Sequence, residues 1–140
     1  MSAIFASLAD AQSTLDESEI TAAFNALAPY GRDASQLLTG RYWALGAHLT
    51  WTLAEDVGSV QPLGNANSTQ NFVFDGRIDN RDKLLAELAI SDGEVLCDSE
   101  LAWKWIRQHG LQAIDRIIGP YAFILLDQDS NSMIAARDPM

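Results

Sequence analysis

The segment Tyr121 to Asp127 (YAFILLD) is a near-continuous apolar run of strand length. A strand that faces water on one side alternates apolar and polar residues, whereas one without a polar side needs cover on both faces. This run therefore demands a layered interior, with something packed above it and something below. A second run, Ala3 to Leu8, starts almost at the amino terminus, where most chains fray, so this chain enters its core at once. Each of the two runs predicts a central strand.

The rest of the chain supplies the covering layers. Asp16-Glu17-Ser18-Glu19 has a capping-box pattern, and Ile20, Ala23, Phe24 and Leu27 follow at the spacing of one helix face, ended by Pro29-Tyr30-Gly31. Leu37 to Leu53 reads as strand material interrupted by Gly40 and Gly46, which predicts a hairpin. The Gly-, Asn- and Ser-rich stretch from Gly58 to Asn71 reads as loop, and Asn71 to Phe74 as a strand closed by an Asp75-Gly76 turn. Asn80 or Asp79 can cap a helix carrying Leu84, Leu85 and Leu88. Asp98 or Ser99 can cap another, with Leu101, Ala102, Trp105 and Ile106 as its buried stripe and Gly110 as its stop. Met133 to Ala136 reads as a last strand, broken by Arg137-Asp138-Pro139. Strands and helices mix without a βαβ rhythm, so the pattern reads as layered α+β. The chain stops at Met140 just where a new segment is due, which predicts a fragment of a longer protein.

At 140 residues and 48% hydrophobic, the chain is sized for one globular domain, residues 1–140. Its 19 acidic and 9 basic residues give a formal net charge of -10, a surface that repels phosphate backbones and anionic lipids. Nucleic-acid and membrane partners are thereby set aside. No apolar run is long enough to cross a bilayer, and the start lacks the basic region of a secretory signal. The single Cys97 excludes an internal disulfide, reads as a small buried hydrophobe, and fits a reducing, cytoplasmic setting. His48 and His109 lack the carboxylate or cysteine spacing of a metal site, so no metal is expected. Trp43, Trp51, Trp103 and Trp105 read as core or interface residues.

Seven short motifs, in order across nearly the whole chain, say more. Phe72-Val73-Phe74-Asp75-Gly76-Arg77-Ile78-Asp79-Asn80 resembles the "vFNGEIYN" segment of class II glutamine amidotransferases, as found in asparagine synthetases. Gln61-Pro62-Leu63 precedes it as that family's "QP" does. Asp98-Ser99-Glu100-Leu101 is similar to "sDsEvi", Gly119 to Phe123 to "GmfAFai", and Ala136-Arg137-Asp138-Pro139 to the start of "ARDpxG". Gly31-Arg32-Asp33 and Ala44 to Leu49 stand where "RGPD" and "alGhrRL" are expected. The resemblance implies an Ntn-hydrolase-type four-layer αββα sandwich with two antiparallel sheets, and its order of elements sets the strand from Ala3 to Leu8 antiparallel to that from Tyr121 to Asp127. It also implies a synthetase domain beyond residue 140, where ATP and magnesium would bind; this domain itself needs no cofactor.

Against the family pattern, this chain departs at most of the chemical positions. The family nucleophile is a cysteine at position 2, freed by removal of the initiator methionine, whose α-amine serves as base. Here that position is Ser2, and a hydroxyl is far harder to deprotonate than a thiol of reference pKa about 8.5. The family asparagine that donates to the oxyanion is matched by Asp75, which when ionised only accepts. Losing one such donor costs about 3–4 kcal/mol in a known hydrolase, and a negative charge adds repulsion. Gly76 keeps the family glycine. The glutamate that holds the substrate ammonium is replaced by Arg77, and the arginine that clamps its carboxylate is matched by His48, which lacks a permanent, bidentate charge. Asp98 matches the aspartate that contacts the ammonium, and equally reads as a helix N-cap.

These changes lead to the expectation of a glutaminase-inactive domain within an ATP-dependent amide ligase, resembling the cysteine-less versions in lasso-peptide macrolactam synthetases and β-lactam synthetases. Such enzymes use an amine carried by their own substrate. The expected partners are the synthetase domain and a peptide or amino-acid substrate, with a homodimer as a further expectation. Two alternatives stand beside this one: an active glutamine-hydrolysing asparagine synthetase that uses Ser2, and a stand-alone interaction module with the same fold.

Overall fold

A computed structural model describes residues 2–10, 12–91 and 93–139. Six strands form two antiparallel sheets of three. The first, in the order β1-β3-β2, holds β1 (Ala3–Leu8), β2 (Ala34–Thr39) and β3 (Trp43–Leu49); the second, β4-β5-β6, holds β4 (Gln70–Gly76), β5 (Tyr121–Asp127) and β6 (Ser132–Arg137). Three α-helices, α1 (Glu17–Asn25), α2 (Arg81–Glu87) and α3 (Asp98–His109), and three short 3-10 helices (Ala28–Tyr30, Ala54–Asp56 and Leu111–Arg116) complete the described elements.

Side-chain parity stacks these elements. On β3, Trp43, Leu45, Ala47 and Leu49 point inward and meet Val73 of β4 and Leu126 of β5, so the two sheets share one apolar seam. The opposite face of the second sheet, carrying Phe72, Phe74, Tyr121, Phe123 and Leu125, packs under Leu84 of α2 and Leu101 and Trp105 of α3. The outer face of the first sheet is covered by α1, whose Phe24 sits edge-on to Phe5 and stacked on His48. The order is helix, sheet, sheet, helix. β5 is covered on both faces, as its composition demands.

β1 has the expected bounds but not the expected neighbour. It lies at one side of the first sheet and pairs antiparallel with β3, Ala3 opposite His48 and Leu8 opposite Trp43, while β5 belongs to the facing sheet. An apolar run specifies what covers a strand's faces, and leaves open which strand takes up its edge hydrogen bonds. Gly46 does not interrupt β3 either. It lies mid-strand, where a Cβ would come within 2.6 Å of the Phe24 ring, so it admits α1 against the sheet. Nor do Asp75 and Gly76 turn the chain: they continue β4 opposite Ala122 and Tyr121.

Helix starts follow the local hydrogen bonds. Asp16 caps α1, its Oδ1 accepting the N–H groups of Ser18 at 2.8 Å and Glu19 at 3.1 Å. α3 starts one residue before the expected cap: Cys97 is the N-cap, its N–H donating to Glu100 Oε2 at 3.0 Å, and Asp98 is already helical. Asn80 precedes α2 without capping it through its side chain. Its amide instead donates to Arg116 O and accepts from Ile118 N–H, both at 2.9 Å, tying this turn to the next loop. Among the described residues no helix is long and apolar enough to cross a membrane.

Candidate functional site

Where the two sheets meet at one end, the start of β1, the end of β4, the start of β5 and the end of β6 surround a cleft of about 610 Å³. The loop from Thr50 to Ser59 and the first turn of α3 complete its wall. Parity decides which residues enter it. Ser2 has the parity of the inward Ile4 and Ala6, and Asp75 that of the inward Val73, so both come from opposite sheets into the same space.

There the Ser2 N–H donates to Asp75 Oδ1 at 3.3 Å, and the Thr50 N–H donates to Ser2 Oγ at 3.0 Å. Burial pushes the Asp75 carboxyl above its ordinary value, and the Ser2 N–H pulls part of the way back. The Asp75 carboxylate thus gains one long hydrogen bond from the Ser2 backbone nitrogen, while the serine hydroxyl accepts from Thr50 in the same cleft. Neither histidine of the chain lines the cleft.

Gly76 also lines the cleft, at φ 153°, where a Cβ would lie 2.4 Å from Pro120 O and 2.6 Å from the Tyr121 Cα. The close pairing of β4 with β5 at this point requires glycine. Arg77 reaches the rim, but its guanidinium is held by Asp79 at 2.6 and 3.3 Å, which also keeps it charged.

His48 and Asp98 do not meet the cleft. His48 pairs with Ala3 and shares its outward parity. It is buried under α1, stacked on Phe24 with ring centres 4.1 Å apart, and its Nε2 lies 3.0 Å from Phe24 O. A residue whose parity points away from the seam cannot clamp a ligand inside it. Asp98 is buried behind the loop that carries Arg77. One carboxylate oxygen accepts the Ile78 N–H at 2.9 Å and the other meets Nη1 of Arg81. It is therefore neither an N-cap nor a cleft residue. The structure gathers Ser2, Asp75, Gly76 and Arg77, and leaves His48 and Asp98 outside.

Other contributors carry little sequence signal. Gln61 is buried beside the cleft floor, its Oε1 accepting from Phe74 N–H at 2.6 Å and its Nε2 donating to Phe74 O at 2.9 Å, so one side chain pairs with β4 as a strand would. The Gln61-Pro62 motif marks this position without revealing that role. Thr50, Ser99 and Tyr121 line the wall through tertiary placement alone. Among the described residues no group of three or more His, Cys, Asp and Glu is arranged to hold a metal.

Comparison with known proteins places the chain in a family and a fold. A family model described as "Glutamine amidotransferase domain" matches residues 48–140, a span that includes Asp75, Gly76, Arg77 and Asp98 and lies downstream of Ser2. The asparagine synthetase [glutamine-hydrolyzing] of Zea mays is 30% identical over 92 residues, 66% of this chain and 16% of that protein. The asparagine synthetase [glutamine-hydrolyzing] 2 of Arabidopsis thaliana is 33% identical over 92 residues, again 66% of this chain and 16% of that one. The matched part thus spans about a sixth of the length of these relatives. Among solved structures, the glutamine phosphoribosylpyrophosphate amidotransferase of B. subtilis, complexed with ADP and GMP, superposes with a TM-score of 0.52 at 22% identity, over 72% of this chain and 24% of that one. At that identity the likeness concerns fold: two facing antiparallel sheets between helices, the Ntn-type arrangement. The chain belongs to the glutamine amidotransferase domain family, as found in asparagine synthetases.

Proposed function

We propose that this chain is the glutaminase-inactive amidotransferase domain of an asparagine-synthetase-like, ATP-dependent amide-forming enzyme. In this reading it supports intramolecular amide formation, lactam or macrolactam, on a peptide or amino-acid substrate that brings its own amine. ATP and magnesium belong to a synthetase domain beyond residue 140.

The observation that carries this reading is the Asp75 carboxylate against Ser2, with Oδ1 3.3 Å from the Ser2 nitrogen. Attack by Ser2 Oγ on an amide carbonyl would build an oxyanion in the same cleft, next to an acceptor-only group that repels it. Asp75 also engages the nitrogen that an amino-terminal nucleophile needs as its base. Once removal of Met1 makes that nitrogen an amine, a carboxylate bonded to it would favour its protonated form, which cannot take the serine proton. With ammonia release lost, an amide ligase must take its nitrogen from free ammonia or from an amine on its own substrate, and the lactam-type reading is the second of these.

The test is glutamate release from glutamine by the full-length protein, alongside amide formation without added glutamine or ammonia. No glutamate above background is expected from the wild type or from Ser2→Cys, because a better nucleophile still faces Asp75. Wild-type hydrolysis that disappears in Ser2→Ala overturns the reading in favour of a working serine glutaminase. Amide formation that depends on supplied ammonia overturns the lactam part alone.

A further inference from the structure

The loop between β3 and β4 reverses the usual sorting of side chains. Its polar members Thr50, Thr52, Asp56 and Ser59 line the cleft together with Trp51. Leu53 (41% exposed), Val57 (68%) and Val60 (57%) face solvent instead, and none of the three belongs to either core cluster. Apolar residues scattered singly are ordinary on a surface, whereas three carried by one loop beside a cleft mark a contact face.

The loop holds this arrangement through its own hydrogen bonds. Asp56 Oδ2 accepts the N–H groups of Thr52 at 3.0 Å and Leu53 at 2.9 Å, and the Thr52 hydroxyl at 3.2 Å. The Ser59 N–H donates to Asp56 O at 2.9 Å, and the Val57 N–H to Ala54 O at 3.4 Å. Trp51 ties the loop down on both sides, its N–H donating to Asp33 Oδ2 at 2.8 Å and its indole Nε1 to Ser59 O at 3.3 Å. The apolar side chains thus stand on a preformed backbone, which leaves little ordering for a partner to impose.

The cleft behind the loop fixes the sign of that partner's charge. Asp75 brings into it a half-buried carboxylate that the Ser2 N–H meets at 3.3 Å, while the rim guanidinium of Arg77 is already matched by Asp79. Arg137 and Asp138 enter the wall together, one charge of each sign. The family pattern has a neutral asparagine where Asp75 stands, so the demand for a cation here belongs to this chain. We infer that the outward face of residues 53–60 is a docking lip for an extended peptide whose free amino terminus is followed by apolar residues. The apolar side chains lie on Leu53, Val57 and Val60, and the terminal ammonium reaches Asp75. This rests on the reading above of a substrate that brings its own amine, and it names the end of the peptide that the domain holds.

The test is isothermal titration calorimetry of the full-length protein with the synthetic peptide amide Gly-Leu-Val-Leu-Gly, its N-acetylated form, and the polar amide Gly-Ser-Thr-Ser-Gly. The free apolar peptide should bind saturably. N-acetylation, which removes the charge, and the polar sequence should each weaken binding at least roughly tenfold. Leu53→Ser combined with Val57→Ser should weaken the apolar peptide by a similar factor and leave the polar one unchanged; both positions are exposed, so the fold is kept. Asp75→Asn should make the free and acetylated peptides bind alike. Absence of saturable binding overturns the inference, as does binding indifferent to the Leu53, Val57 pair or a charge preference that survives Asp75→Asn. A dimer in sedimentation that the same pair dissolves, without peptide binding, gives the face to a second copy and also overturns it. Failure of the functional reading shows separately, in amide formation that depends on supplied ammonia.

Discussion

Replacing Gly76 by alanine tests the claim that close β4–β5 pairing shapes the cleft. The added Cβ would lie 2.4 Å from Pro120 O and 2.6 Å from the Tyr121 Cα, both backbone atoms of the paired strand, so no rotamer change relieves the clash. Overpacking of this kind costs about 1–3 kcal/mol, and a side chain held at positive φ about 1–2 kcal/mol more. The sum, about 2–5 kcal/mol, is a large part of the roughly 5–15 kcal/mol that holds a domain folded. At about 3–4 °C per kcal/mol for a domain of this size, the midpoint should fall by about 6–20 °C. Two other glycines separate the contributions. Gly58 has φ 87° with nothing within 4 Å of its virtual Cβ, so Gly58→Ala should show the conformational part alone, about 1–2 kcal/mol. Gly93 also has nothing within 4 Å of its virtual Cβ, so Gly93→Ala should meet no clash and cost less than Gly76→Ala. Urea unfolding followed by tryptophan fluorescence measures all three. A Gly76→Ala variant within about 0.5 kcal/mol of wild type, or one no worse than Gly58→Ala, refutes the steric argument.

Two further substitutions probe the electrostatics. Burial raises the folded-state pKa of Asp75, so its ionisation opposes folding: the stability it permits at low pH is lost as pH rises through that raised value. Asp75→Asn should therefore stabilise the chain at neutral pH, with the gain fading on acidification, as urea midpoints of both proteins across pH will show; a gain independent of pH refutes this cause. His48→Arg, which the family pattern alone would recommend as a repair, should instead destabilise by about 3–5 kcal/mol, because it places an unpaired guanidinium between β3 and α1. Unchanged stability by thermal unfolding would mean that position 48 does reach solvent or the cleft.

What the sequence by itself determined was layering. The apolar run from Tyr121 to Asp127 required cover on both faces, and the helix with its apolar stripe at Leu101 and Trp105 provided one of them, while the capped helix with Ile20 and Phe24 covers the outer face of the other sheet. The ordered motifs pointed to the two-sheet sandwich and to Ser2, Asp75, Gly76 and Arg77 as neighbours, which the cleft brings together. Periodicity can do this because it records which faces are dry. Edge pairing and parity at one remove are not written in the same way. That β1 joins β3 rather than β5 fixes Ala3 opposite His48, and this one register turns His48 outward beneath α1 while Ser2 turns inward. Asp98 was legible as a motif residue, but its partner Arg81 stands 17 residues away and meets it only after α2 and α3 have packed on the second sheet. Side chains of that kind are committed by tertiary contact, since a carboxylate answers to whichever donors the packed chain brings within reach.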